Sequence, residues 1–262
     1  MQNKFANGVK FFFGAVALAA LAACGGGGGS DSGSNGGGGN GGGGNGAGAQ
    51  VTVSGTAAKG AALPSAAIQL SCANGASLSA TTGADGSYST SGNVAYPCIG
   101  TATQGNLIFR GVLFSGNVAN FTPLTDMLAE TVFAAAASGN KSLTRDELLA
   151  KLKDTTFAQN VVNAADSYRR LVIEQLKTLL LLRMTMDQFN AQFGVLNSSI
   201  NFDAATFSIG SPLDKVLDNS AQDIQNADGS VKKDVLEDVK SAADVLPAPA
   251  GSPTGATGGS SS

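Results

Sequence analysis

The residues Phe-Thr-Pro-Leu-Thr at positions 121–125 divide the chain into two kinds of sequence. From residue 50 to about residue 115, apolar residues alternate with polar ones between turn residues, which is typical of strands. After Thr125, apolar residues recur at helical spacing. Thr122 followed by Pro123 favours a helix start, because threonine caps a free backbone N–H and proline fits the first helical position. The sequence therefore predicts an α+β fold: an N-terminal antiparallel β-sandwich followed by an all-α helical bundle.

The first part contains several predicted short strands. Ile68, Leu70 and Cys72 fall on one face of a strand, which directs Cys72 into the core. Two further strands, residues 77–82 and 87–91, flank Gly-Ala-Asp-Gly at 83–86 and predict a β-hairpin. Strands are also expected near residues 51–53, 99–103 and 107–114, with a turn at 104–106.

Three motifs in this region resemble a known family. They are Val-Ser-Gly-Thr at 53–56, Pro-Ser-Ala at 64–66 before an Ile-x-Leu strand, and Thr-Thr-Gly-Ala-Asp-Gly-Ser-Tyr at 81–88. Together they resemble carboxypeptidase regulatory-like domains, which are prealbumin-like sandwiches of about this size. The resemblance implies a non-catalytic module over residues 50–116 and brings no site residues with it.

The second part, residues 121–246, is expected to form a helical domain of about five or six helices. Capping boxes are present at Thr144 with Glu147 and at Thr185 with Gln188. Ser211 and Pro212 mark another start. The predicted helices cover residues 122–137, 144–153, 157–183, 185–194, 212–224 and 231–242. Residues 247–262 are rich in Ala, Pro, Gly, Ser and Thr, which predicts a disordered tail.

The N-terminal segment, up to Cys24, indicates export. Lys4 and Lys10 precede an apolar segment, residues 11–23, that is too short to span a bilayer, and Leu-Ala-Ala leads directly to Cys24. This arrangement resembles a bacterial lipoprotein signal, which implies cleavage of residues 1–23 and lipidation of Cys24. The alternative is an ordinary secretory signal that ends by chance at a cysteine.

Residues 24–49 are predicted to be a flexible linker between membrane and domain. Sixteen of residues 25–49 are glycine, and no apolar residue there is larger than alanine, so the segment cannot bury enough surface to order itself. Gly25 is not the aspartate associated with inner-membrane retention in lipoproteins. The resemblance therefore favours the outer membrane, facing either the periplasm or the exterior.

Composition excludes several classes of function. Removal of the leader leaves 14 basic and 19 acidic residues, a net charge of −5. The remaining chain has no run of basic residues that could bind nucleic acid. The chain has no histidine, which removes Ser-His-Asp and Cys-His catalysis and the commonest metal ligand. The sequence accordingly predicts no catalytic residues, no cofactor and no metal site.

Cys72 and Cys98 remain once Cys24 is assigned to lipid. In an exported chain, two remaining cysteines indicate one disulfide. It closes a loop of about 27 residues, worth ~3.5 kcal/mol in the chain-entropy model. The alternative, a redox-active pair, lacks a Cys-x-x-Cys spacing.

Other candidates for chemistry are the carboxylate pairs Asp214/Asp218 and Glu237/Asp238, for which a solvated face is the favoured interpretation. Residues 226–231 resemble the middle of a calcium-binding loop. The first and last ligand positions of such a loop are occupied here by Ile224 and Val235, which have no side-chain oxygen, so a turn is predicted instead. Ser230 and Lys233 match a serine–lysine motif without its companion motifs.

The run Leu179–Leu182 covers a whole helix circumference and favours either a helix end that enters the core or a docking surface. The leading functional hypothesis is a non-enzymatic binding or accessory lipoprotein with an envelope protein partner. The alternative is a carrier that holds a lipid or other apolar ligand among Leu171, Leu176, Leu179 and Phe189. A carboxylate-based glycan hydrolase is a third hypothesis.

The lipid anchor predicts the behaviour of one variant. Cys24→Ser removes the thiol that takes the acyl chains, so the leader should remain uncleaved and the chain should no longer sediment with the outer-membrane fraction of the envelope. Intact mass and envelope fractionation measure both effects. Unchanged processing and sedimentation would contradict the assignment of Cys24.

Overall fold

The computed structural model describes residues 49–137, 141–198 and 200–251. The predicted leader, Cys24 and the linker up to residue 48 lie outside the described residues, as do residues 252–262 of the predicted tail.

Within the described residues the fold is mixed α/β, with two antiparallel sheets followed along the chain by eight helices. The strands are β1 (Ala49–Thr56), β2 (Ala67–Cys72), β3 (Ser77–Thr81), β4 (Ser87–Val94), β5 (Cys98–Gln104) and β6 (Leu107–Leu113). The helices are α1 (Pro123–Ala137), α2 (Arg145–Lys151), α3 (Thr155–Asn163), α4 (Ala165–Leu180), α5 (Met186–Phe193), α6 (Val195–Ser198), α7 (Pro212–Ile224) and α8 (Lys233–Ala243).

The four-stranded sheet has the order β3-β2-β5-β6, and the second sheet pairs β1 with β4. Ile68, Leu70 and Cys72 are buried on one face of β2, as the alternation predicts. The β5–β6 hairpin turns at Gly105, in the predicted place. Gly105 has a φ of 59°. Glycine adopts this left-handed conformation without steric cost.

The predicted hairpin between β3 and β4 is wrong. A turn does form at residues 83–86, but β3 pairs with β2 while β4 pairs with β1, so the chain changes sheets there. The Thr82 hydroxyl holds the end of β3 in its own sheet by donating to the Leu63 carbonyl and accepting from the Ala66 N–H. The eight-residue ladder with β1 holds β4 in the other sheet.

The edge of β1 that does not pair with β4 lies against residues 117–121. Backbone bonds join Ser54 to Asn117 and Ala119, and the Phe121 N–H donates to Thr56. Gly55 permits this close approach, because a Cβ there would lie 1.8 Å from the Ala119 carbonyl oxygen.

Helix α1 is the centre of the helical part. It begins after Thr122, as predicted, and every residue from Pro123 to Ala136 is buried. It packs on β6 and on α2, α4, α7 and α8. A helix with buried residues on all sides lies inside a core rather than on its surface. One continuous core therefore joins the sheets to the helices.

Arg110 of β6 joins the sheet edge to α1. Its guanidinium donates to Asp126 at 2.6 Å and to Glu130 at 2.7 Å, and both carboxylates are buried. Asp126 also accepts the Arg110 backbone N–H, while the Thr125 hydroxyl donates to the Arg110 carbonyl. The nearby carboxylates hold the pKa of Arg110 above its usual value despite burial. The polar groups of an edge strand are thus satisfied by a helix.

The single helix predicted over residues 157–183 is wrong, because it is divided into α3 and α4 at Ala164. Ala164 takes ψ of 0°, and the Ser167 N–H bonds to the Ala164 carbonyl only three residues back. Asn163, a weak helix former, precedes the break. Val161 and Tyr168 remain buried on either side, so the apolar pattern continues through it.

The predicted helix starts at Thr144, Thr185 and Ser211 are confirmed, whereas the last helix begins at Lys233 instead of residue 231. Capping boxes form at Thr144 and Thr185, and the Ser211 hydroxyl caps α7. Helix α6 was not predicted. No helix among the described residues is long and apolar enough to cross a membrane.

The Arg110 contact predicts a large effect on stability. Arg110→Met leaves Asp126 and Glu130 buried without their cation, so the free energy of unfolding should fall by ~3 kcal/mol. Urea denaturation measures it. Adding Asp126→Asn and Glu130→Gln should recover part of the loss.

Lys240→Met is the control for this prediction, because the carboxylate that it leaves without a cation, Glu237, is exposed on α8. Exposed ion pairs contribute little to stability, so the free energy of unfolding should hardly change. Equal losses for Arg110→Met and Lys240→Met would contradict the role of Arg110.

Candidate binding groove

A groove of about 570 Å³ lies between one end of the four-stranded sheet and the corner formed by α2 and α3. Its volume lies in the range typical of small-ligand and peptide sites. Two turns and a helix corner line it: Ala73, Asn74, Gly75, Ala95, Tyr96, Leu152, Lys153, Thr155, Ala158 and Gln159.

The sheet wall of the groove consists of the β2–β3 and β4–β5 turns. The Ala73 N–H is shared between the carbonyls of Ala95 and Pro97, each at 3.1 Å. The Asn74 amide donates to the Asn93 carbonyl at 3.2 Å. Gly75 has a φ of 81°, which glycine adopts without strain. The two turns are therefore joined by backbone and side-chain hydrogen bonds.

The disulfide between Cys72 and Cys98 stands directly behind these turns, which confirms the predicted bridge. The two cysteines are paired opposite each other in β2 and β5. Ala73 follows Cys72, and Tyr96 precedes Cys98 by two residues. The bridge thus joins the strand ends from which both turns leave.

The Tyr96 side chain connects the groove with the segment that follows β6. Its hydroxyl donates to the Gly116 carbonyl, beyond the end of β6. Burial raises the pKa of the Tyr96 phenol above its usual value. The ring therefore has a fixed position in the groove.

The helix wall begins at Leu152, which is buried, and continues into the first two turns of α3. The Asp154 carboxylate caps α3 by accepting from the Thr156 and Phe157 N–H groups. Ala158 is buried beneath the groove, whereas Thr155 and Gln159 are exposed. The wall thus has an apolar base and a polar rim.

The groove lining combines hydrogen-bonding side chains with apolar surface. Asn74 and Gln159 carry amides that both donate and accept hydrogen bonds, as peptide groups do. Leu152, Ala158 and Tyr96 supply apolar surface. Lys153 is the only charged side chain among the ten lining residues. The set contains no carboxylate or thiol that could act as a catalytic base or nucleophile.

A second cavity, of about 220 Å³, lies beside β1 and β4. Three of its lining side chains, Thr56, Tyr88 and Asn120, have partners within the fold. Tyr88 donates to the Ala119 carbonyl, and Thr56 donates to the Phe207 carbonyl. The Asn120 amide accepts from the Thr56 N–H and donates to Ala205. This network holds residues 202–207 against β1.

The Asp214/Asp218 pair lies on α7, outside the residues that line either cavity. Asp218 is exposed, as predicted, but the prediction of a solvated face is wrong for Asp214, which is 3% exposed. In the first turn of α7, Asp214 Oδ2 accepts the Gly210 N–H at 2.7 Å. A carboxylate is favoured at a helix N-terminus, which compensates for its burial. Its Oδ1 has no hydrogen-bond partner among the described residues.

The remaining candidates are placed as follows. Glu237 pairs with Lys240 on α8, and both Glu237 and Asp238 are exposed. Residues 226–230 form the predicted turn, in which the Ser230 hydroxyl bonds to Asp228 and the Lys59 ammonium donates to the Asp228 carbonyl. The described ranges contain no group of three His, Cys, Asp or Glu side chains placed to hold a metal.

The leucines of the run at residues 179–182 differ in burial where α4 ends. Leu180 is fully buried, while Leu182 is 82% exposed. Leu176 and Phe189 of the proposed carrier site are also fully buried. None of the four residues proposed to hold an apolar ligand lines either cavity.

Comparison of the chain with family models, curated proteins and solved structures gives no match. The sequence interpretation did not identify the groove residues, since they come from separate segments. The positions of Cys72 and Cys98 beside turn-rich stretches were the one available signal.

The carboxylates on α7 predict a pH effect. Partial desolvation of the exposed Asp218 carboxyl, and then the neighbouring Asp214 charge, raise its pKa. The folded state therefore disfavours its ionised form, and stability falls as pH rises from the unfolded pKa of ~3.9 through the higher folded one. Asp218→Asn should raise the urea midpoint at pH 7, with no gain below the unfolded pKa.

Asp238→Asn, on exposed α8, is the matched control and should leave the midpoint nearly unchanged at both pH values. A gain for Asp218→Asn that is the same at low and neutral pH would contradict the electrostatic cause.

Proposed function

We propose that this chain is a non-enzymatic accessory lipoprotein of the cell envelope that binds an extended polypeptide segment of an envelope partner in the groove. The observation that carries the proposal is the Cys72–Cys98 disulfide behind the groove wall. Disulfides persist in oxidising compartments and are rare in the cytosol. The same bond restrains the two turns that form the binding surface, and a restrained surface loses less entropy on binding.

The proposal assigns the rest of the chain to attachment and presentation. Cys24 carries the lipid at the outer membrane after removal of residues 1–23, and residues 24–49 act as the tether. Residues 50–116 form a sandwich module of the carboxypeptidase regulatory-like type, and residues 121–246 form the helical bundle. Two or more acyl chains make such an attachment durable, whereas one chain holds a protein only marginally.

A polypeptide fits the groove better than a lipid does. Lining side chains Asn74, Thr155 and Gln159 offer hydrogen bonds at its rim, which an acyl chain cannot use. A lipid carrier instead requires a cavity among Leu171, Leu176, Leu179 and Phe189. Mass spectrometry of the purified chain for bound lipid discriminates the two functions.

Site-specific photo-crosslinking in intact cells tests the proposal. A photoreactive residue at Gln159, in the groove, should form one defined adduct with a polypeptide, while the same residue at exposed Glu174 on α4 should not. Fragment masses should place the adduct in one continuous segment of the partner.

Matched variants decide whether the adduct depends on the groove. Lys153→Trp fills the groove from an exposed lining position and should reduce the adduct at least fivefold. Thr156→Trp places the same ring at an exposed position outside the lining and should leave it unchanged. Equal adducts at positions 159 and 174, or an adduct insensitive to Lys153→Trp, would overturn the proposal.

A further inference from the structure

The lining of the groove carries a single charge, which belongs to Lys153. This lysine is exposed on the turn between α2 and α3, and the other lining residues are uncharged. The ion pairs formed among the described residues do not include its ammonium. The Lys153 charge is therefore available to a molecule that lies in the groove.

The acidic neighbour of Lys153 is directed to the helix instead. Asp154 Oδ1 accepts the N–H groups of Thr156 and Phe157 at 2.9 Å and 3.1 Å, as the cap of α3. The positive end of the helix dipole stabilises a carboxylate in this position. The ammonium of Lys151, at the same corner of α2 and α3, lies 5.4 Å from the centre of the Phe157 ring and adds a second positive charge there.

This positive corner contrasts with the charge of the whole chain. The sequence contains 16 basic and 19 acidic residues, a net charge of −3. A negative net charge disfavours the approach of an acidic segment in general, whereas a local positive group favours it at one place. Charge thus directs an acidic segment to the groove rather than to the rest of the surface.

The carboxylate of such a segment belongs to a side chain rather than to a chain end. Chain-terminal carboxylates are typically captured by clusters of backbone N–H groups. At the groove, the Thr156 and Phe157 N–H groups already bond to Asp154. On the opposite wall, the Ala73 and Gly75 N–H groups donate to carbonyls of the fold. The ammonium of Lys153, on a flexible stem, suits a single carboxylate group on a side chain.

We infer that the groove selects a polypeptide segment in which one aspartate or glutamate side chain pairs with Lys153. This selectivity rests on the proposed function, because it names the chemistry of the segment that the groove binds. Asn74 and Gln159 hydrogen-bond to peptide groups of any sequence. Lys153 instead determines which residue of the segment lies at the corner of α2 and α3.

The pair should affect the rate of association more than the lifetime of the complex. A charge at the rim of an interface acts mainly on the association rate and on its dependence on salt. Exposed ion pairs are weak, so Lys153→Gln should slow the association of an acidic segment about threefold at low salt. The difference should shrink between 0.01 M and 0.15 M salt, as the screening length falls from ~30 Å to ~8 Å.

Selection from random seven-residue peptides displayed on phage tests the preference. The peptides are joined to the coat protein by their C-terminal ends, so that they offer no free chain-terminal carboxylate, and the bait is the full chain carrying Cys24→Ser. Aspartate or glutamate should be enriched at one peptide position at least threefold over the starting library. Lys153→Glu should instead enrich lysine or arginine at that position, and Lys153→Arg should keep the acidic preference.

Two control variants show where the peptides bind. Lys215→Glu makes the same change of charge at an exposed position of α7 outside the lining, and the acidic preference should persist. Gln159→Trp fills the groove and should remove the enriched peptides. Groove-dependent peptides without an acidic preference, or the same preference after Lys153→Glu, would overturn the inference. Binders obtained only from a library with free C-terminal ends would also overturn it.

Photo-crosslinking at position 159 separates this selectivity from the proposed function. An adduct whose yield is unchanged by Lys153→Glu, on a partner segment without aspartate or glutamate, overturns only the acidic preference. Selection of acidic peptides without any adduct in cells overturns only the binding of an envelope partner. The absence of both adduct and groove-dependent peptides overturns the two together.

Discussion

The guanidinium of Arg110 connects the outer strand of the four-stranded sheet to α1, around which α2, α4, α7 and α8 pack. Two buried carboxylates on successive turns of α1 fix the helix in both position and rotation relative to β6. The cation also lies 5.5 Å from the centre of the Phe133 ring. A ring face at this distance attracts the cation. Because α2 and α3 follow α1 in the chain, the same contact helps to determine where the helix wall of the groove stands relative to the sheet.

The groove combines one wall restrained by a covalent bond with another that depends on helix packing. Cys72 and Cys98 hold the strand ends, and hydrogen bonds from Ala73 and Asn74 join the turns beyond them. The helix wall is held by buried Leu152 and by the Asp154 cap. A surface organised in this way is suited to recognition by shape and by hydrogen bonds, and its stability is coupled to the oxidation state of the compartment.

Local signals in the sequence are sufficient to predict where many of the helices begin. The caps at Thr122, Thr144, Thr185 and Ser211 act within one turn, so the residues that specify them are adjacent in the chain. The pairing of β4 was not accessible in this way, because the 83–86 turn fits either sheet and the distant β1 decides the outcome. The break at Ala164 does not interrupt the helical spacing of the apolar residues, so that spacing could not reveal it. The groove was missed for a related reason, since its walls meet only after the sheet and helices have packed.

The position of β1 has a mechanical consequence. The chain enters the described fold at Ala49, the first residue of a strand paired over eight positions with β4 and flanked on its other edge by residues 117–121. A force transmitted through the preceding residues acts along the strand axis, so its ladder hydrogen bonds are loaded together in shear instead of opening one after another. Under the proposed attachment, a pull on the residues before β1 would be opposed by the hydrogen bonds on both edges of this strand.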